Sequence, residues 1–221
     1  MAREPDPKRA SRRVAADLRV WLGGAPVTWG AVALLVCWHA LVPRLAAAFG
    51  ADRFGTWFVA RASPSPGWVL AVLSHADLNH LAANLLFLVI WGTIAEHALG
   101  ARRYAAFLAG TGVAGILAQV AEYVLTGVSG GVVGASGAAQ ATAAFAAVAL
   151  ARGRGPVETP ALRRGLVSGA VAIVAIQLLN DFAGTSTVVP ESSGVAHLTG
   201  MVLGAGYALV ETGRDPRSGS R

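Results

Sequence analysis

Apolar residues gather in six runs separated by short polar or basic gaps, at about 27–42, 79–98, 104–125, 136–151, 162–179 and 194–210. Runs of this length with little internal charge predict membrane-spanning helices. The first closes at Pro43 and Arg44. The fourth is short: its roughly 16 residues cover about 24 Å at 1.5 Å per residue, against a hydrocarbon core about 30 Å thick. Its N-terminal end therefore stops below one membrane surface, and the glycine-rich loop 130–134 fills the gap. Irregular backbone at that depth is tolerated where it lines a polar cavity. Between the first two runs, residues 44–78 mix Trp57 and Trp68 with Arg53, Arg61, Pro64 and Pro66, which fits a segment lying in the interface. After the fifth run, residues 180–193 read as a polar loop. The pattern predicts an all-α polytopic membrane protein: a six-helix bundle over residues 26–210, a basic tail over 1–25 with a short interfacial helix near 14–22, and a disordered tail over 211–221. No internal repeat is visible, so an inverted-repeat transporter has no support.

Composition agrees with that class. Apolar residues make up 54% of the chain and charged residues 14%, where soluble domains carry about 25% charged. Cys37 is the lone cysteine and lies inside an apolar run, so neither a disulfide framework nor a cysteine metal site is expected. No metal and no cofactor is implied.

The net charge of +6 would suit nucleic acid, but its placement argues against that partner. Of 18 Lys and Arg, only Arg44, Arg53 and Arg61 fall in the first, third or fifth gap. By the positive-inside rule both termini are cytoplasmic. The first 20 residues hold no apolar core, so the start reads as a cytoplasmic tail and not a cleavable signal peptide. Usage rich in Ala, Gly and Arg, with Lys8 as the single lysine, suggests a GC-rich prokaryote and hence a plasma membrane.

That topology gives the second, fourth and sixth helices a shared property. All begin on the outer side, and each carries its polar residues in its first turns: His80 and Asn84, then Ser136, then His197. His80 and Asn84 are four apart and share a face. His197, Gly200 and Gly204 also form one stripe, whose glycines let that helix approach the alanine-rich fourth closely. Ser136 and His197 then come within hydrogen-bond reach. Intramembrane histidines and asparagines mark function by default, and a hydroxyl at the positive end of a helix dipole is a candidate nucleophile. Taken singly, each has a plainer reading: Ser136 as a helix N-cap, His80 or Asn84 as a donor to a loop carbonyl. Their agreement in depth favours function. His39 and His97 show no such convergence and read as structural.

The segments His75-Ala-Asp-Leu-Asn-His80-Leu-Ala-Ala-Asn84, Gly134-Ala-Ser136-Gly137 and His197-Leu-Thr-Gly200-Met-Val-Leu-Gly204 resemble the rhomboid intramembrane serine proteases, in the family's order and on its second, fourth and sixth helices. The resemblance covers residues 44–210. It implies that Ser136 is the nucleophile and His197 the general base and acid. His80 and Asn84, with the Ser136 backbone N–H, would form the oxyanion hole, and His75 would support the first loop. Gly134, Gly137, Gly200 and Gly204 belong to the same motifs. Glu96 with Gly100 matches a family position for which a structural role is expected. Two positions depart from the family pattern: Val69 follows Trp68 where an arginine is frequent, and Gln140 stands where an aromatic often stacks on the histidine. Gln140 is expected to hydrogen-bond His197 instead. No acid is placed to orient His197, because Asp181 and Glu191 fall in the outer loop and Glu96 at the cytoplasmic end. A Ser–His dyad is therefore expected, not a triad.

The implied activity is hydrolysis of single-span membrane proteins near the outer membrane face, so the implied partners are transmembrane substrates and the lipid bilayer. Two other classes are weighed against it. A catalytically silent relative that binds transmembrane clients is disfavoured by the presence of both Ser136 and His197. A channel or transporter is disfavoured by the lack of repeats and of buried ion pairs.

Overall fold

A computed structural model describes residues 7–183 and 193–213, and every described element is helical apart from one isolated β-bridge. The elements are α1 (Pro7–Leu22), α2 (Pro26–Phe49), α3 (Ala51–Phe58), α4 (Gly67–Leu70) with a 3₁₀ turn (Ala71–Leu73), α5 (Leu78–Phe87), a π turn (Leu88–Gly92), α6 (Thr93–Leu99), α7 (Ala101–Thr126), α8 (Ser136–Ala151), α9 (Pro160–Ala183) and α10 (Gly194–Gly213). Segments α5, the π turn and α6 form one continuous rod.

The short α8 is the central post. Of its residues only Ala147, Val148 and Ala151 are not buried. A helix apolar all round belongs inside a bundle, and alanine keeps this one thin enough for α5, α7, α9 and α10 to pack around it. Phe145 and Leu150 fill the gaps, the first beside Tyr104 and Phe107, the second beside Trp91 and Ile94. By contrast α2 and α9 stand at the periphery. Trp29, Leu34, Val36 and Leu41 of α2, and Val171, Ile176 and Leu179 of α9, are exposed large hydrophobics, as lipid-facing helices require.

Four segments are long and apolar enough to cross a membrane: Pro26–Phe49, Leu78–Leu99, Ala101–Thr126 and Pro160–Phe182. The helix Ser136–Ala151 is shorter, as the sequence predicts, and Gly194–Gly213, with its glycines and His197, is not among the four.

Several boundaries move. Helix α2 does not close at Pro43 but runs through it to Phe49 and ends at Gly50, where φ is +84°. Proline inside a membrane helix is tolerated because neighbouring groups re-satisfy the freed backbone, and the apolar residues 45–49 continue the run. Residues 44–78 fold into the short helices α3 and α4, held by Trp38 against Phe58 (ring centroids 4.6 Å) and by the Trp68 indole donating to Arg61 O at 2.8 Å. That indole bond anchors the first loop where Val69 departs from the family pattern.

The N-terminal segment is a full helix docked on the bundle. Its Trp21 Nε1 donates to Ile90 O (3.1 Å), and Asp17 Oδ2 accepts from Thr159 N (2.9 Å). The Thr159 contact outweighs burial and holds the Asp17 carboxyl below its ordinary value. At the other end α10 continues past residue 210 to Gly213, and Glu211 pairs with Arg103 at 3.0 Å. The rest of the expected C-terminal tail, 214–221, lies outside the described residues.

Candidate active site

The site is built on the loop that leads into α8. Ala60 and Val132 pair as an antiparallel bridge (N to O 3.1 and 2.9 Å), which ties the first connection to this loop. Two residues on, Gly134 has φ +119°, a conformation that L side chains rarely adopt. Its Cα lies against the His80 ring, so that an added Cβ would stand 2.7 Å from Cε1. Gly134 N donates to Ala71 O at 2.9 Å, and Ala135 N approaches His75 Nε2 at 3.5 Å. The His75 and His80 rings meet edge to face with centroids 5.1 Å apart. Burial, reinforced by the neighbouring His80, pushes His75 down to about 4. A neutral imidazole keeps one nitrogen as an acceptor, which is what the Ala135 N–H needs.

Helix α8 then begins at Ser136, and its N-cap is Ala135, with no side-chain cap. Ser136 is thus the first helical residue and not the capping serine of the plainer reading. Its own N–H belongs to the first turn, where helix donors have no intrahelical acceptor.

The glycine stripe performs as the sequence predicts. A Cβ on Gly200 would collide with the Gly137 carbonyl oxygen, and one on Gly204 with that of Ala141. Because 200 and 204 meet 137 and 141 in the same order, α8 and α10 run parallel in near backbone contact. On its other side Gly137 faces Gly115 of α7, whose Cα would lie 3.3 Å from a Cβ placed there. His197 precedes Gly200 by three residues and Ser136 precedes Gly137 by one. At 1.5 Å per residue their levels differ by roughly 3 Å along the helix axes. Both are buried, Ser136 at 9% exposure and His197 at 8%. The structure brings them within roughly 3 Å of one level but forms no hydrogen bond between them among the described residues. Such bonds are often long in a site without substrate and tighten on binding.

On α5 the order comes from Asp77, whose carboxylate accepts the His80 N–H at 2.8 Å and caps the helix. Asn84 is buried at 4% exposure and donates one amide hydrogen to His80 O at 3.1 Å. Its amide carries a second hydrogen.

His197 corrects the sequence expectation most. Asp181 is not in a loop: α9 extends to Ala183, and the Asp181 Oδ2 lies 2.8 Å from His197 Nδ1. Gln177, one turn earlier, donates from Nε2 to Asp181 Oδ1 at 2.8 Å and lies 3.4 Å from the same His197 nitrogen. Gln140 does not reach His197 as expected; its Oε1 is buried without a partner among the described residues. Glu191 lies outside the described residues. Asp77, Gln177 and Asp181 are the site residues that sequence reasoning missed. The Gln177/Asp181 spacing of four was the available signal, as was an aspartate just before an apolar run for Asp77.

His97 Nδ1 lies 2.7 Å from Thr93 O, and His39 Nδ1 is buried without a partner among the described residues. Glu96 has the structural role expected: its carboxylate accepts from Val27 N (2.9 Å), Thr28 N (2.8 Å) and Thr28 Oγ1 (2.8 Å), capping α2. Gly100, at φ +79°, makes the turn into α7. No group of three or more metal-ligating side chains occurs among the described residues.

A family model described as the Rhomboid domain matches residues 66–214. No curated protein matches the chain.

Proposed function

The chain belongs to the rhomboid family of multi-pass membrane proteins, and from that premise we propose that it is an intramembrane serine endopeptidase. The observation that carries the proposal is the seating of Gly200 on Gly137 and Gly204 on Ala141, which brings the buried Ser136 and His197 within roughly 3 Å of one level, with Ser136 at the end of the glycine-rich loop 130–134. In the proposed reaction Ser136 Oγ attacks the carbonyl carbon of a scissile peptide while His197 takes the hydroxyl proton. The tetrahedral oxyanion is held by the second Asn84 amide hydrogen, the His80 ring and the Ser136 backbone N–H. His197 returns the proton to the leaving amine as the C–N bond breaks. Water, deprotonated by the same imidazole, then hydrolyses the acyl-serine ester and regenerates the hydroxyl.

The substrates are single-span membrane proteins, cut where a small-residue stretch of their helix frays near the outer face. In this proposal the chain crosses a plasma membrane six times with both termini in the cytoplasm. The alternative is a silent relative that holds transmembrane clients without cutting them.

A fluorophosphonate probe separates the two. Purified protein in detergent should become labelled, with Ser136→Ala and His197→Ala blocking the label. Cleavage of a reconstituted single-span substrate should disappear in the same two variants. Wild-type protein that neither labels nor cleaves would leave only the silent reading.

A further inference from the structure

We propose that Asp181 is a positioning residue for His197, making the site a Ser136–His197–Asp181 triad; this rests on the reading of Ser136 and His197 as nucleophile and base. The Asp181 side chain is fully buried, and its two oxygens have one donor each, His197 Nδ1 on Oδ2 and Gln177 Nε2 on Oδ1. Burying a carboxylate is costly unless it is paired and hydrogen-bonded. Among the described residues its one ion-pair partner is His197; no lysine or arginine reaches it. The short contact also decides between the two neighbours of Nδ1. Gln177 Nε2 is a donor and so is a protonated Nδ1, so their 3.4 Å approach is proximity, and the carboxylate at 2.8 Å takes the Nδ1 hydrogen.

A proton fixed on Nδ1 leaves the lone pair on Nε2, the nitrogen needed to accept from Ser136. When that proton arrives, the carboxylate faces the new imidazolium and stabilises it. Gln177, from the turn before, holds the other carboxylate oxygen at 2.8 Å. The pairing is built into the backbone as well: Gly194, first residue of α10, lies so near Asp181 that an added Cβ would be 3.2 Å from the aspartate Cβ.

A structural pair that merely joins α9 to α10 would show the same contact, so the test separates kcat from KM and from thermal stability. Asp181→Asn preserves shape but turns an amide donor toward Nδ1, favouring the tautomer with its proton on Nε2. The expected loss is about 10²- to 10⁴-fold in kcat, with KM within about threefold and the melting temperature near that of the wild type. Asp181→Glu, which restores an anionic acceptor one methylene out of place, should recover roughly tenfold or more over Asp181→Asn. Fluorophosphonate labelling should slow in the same order.

The proposal is overturned if wild-type protein cleaves and Asp181→Asn keeps its kcat. It is equally overturned if activity falls only in step with melting temperature and Asp181→Glu restores nothing. Wild-type protein that neither labels nor cleaves overturns the protease reading itself, a different result from either.

Discussion

Single atoms decide this site. Gly200 and Gly204 admit no side chain because a backbone carbonyl occupies the space, whereas Gly206 on the same helix faces open space. Gly200→Ala must push α10 off α8 by about a methyl radius, an overpacking cost of about 1–3 kcal/mol. It should also lower kcat roughly a hundredfold, since a shift near 1 Å misplaces the base. Gly206→Ala should leave both unchanged or raise stability by up to about 1 kcal/mol through helix propensity; thermal melts and cleavage assays on the pair check this.

His75 predicts a pH effect of definite sign. Its pKa is lowered in the fold from 6.5 to about 4, so the folded state prefers neutral imidazole and the unfolded state binds the proton first. Its contribution is complete above about pH 6.5 and is lost progressively as pH falls toward 4. Melting temperatures of the wild type should drop across that window, and His75→Gln should flatten the drop. At this scale the sequence was legible where spacing spoke: Ser136 at a glycine loop, His197 in register with two glycines, Asn84 one turn from His80. Asp181 was not legible as a partner, because a polar pair after an apolar run resembles the start of a loop. Only the added helical turn swings the carboxylate onto His197.

Helix ends carry their own chemistry. The α2 N-terminus has no side-chain cap of its own, and Glu96, 68 residues away from Thr28, supplies one through three hydrogen bonds. Glu96→Gln retains the size but removes the charge from two backbone donors and a hydroxyl. A loss of about 1.5–3 kcal/mol is expected from charge-assisted bonds, seen as a lower melting temperature, with kcat in the surviving folded fraction within a few-fold of the wild type. The hydropathy pattern found every long helix, and the boundaries of the short α8 agree to the residue. It missed what depends on long-range packing: the passage of α2 through Pro43, the docking of α1, and the π turn, which no local propensity announces.

For the whole molecule, the distribution of arginine makes the clearest expectation. A reporter fused after Arg154 should behave as cytoplasmic, on the side of the α1 helix whose Asp17 holds Thr159 N; an external reading would reverse the proposed orientation of the site. The π turn links that side to the chemistry. It inserts one residue into the rod, and its carbonyls are taken by Trp21 Nε1 on Ile90 O and by Thr93 Oγ1 on Val89 O at 2.8 Å. One residue of an α-helix is about 100° of rotation. The insertion therefore works as a phase shifter: it lets the α5 half aim His80 at Gly134 while the α6 half aims Glu96 at α2. Deleting Val89 would restore an ordinary helix and put the two halves out of step, so that the rod could satisfy its anchor or its active site but not both.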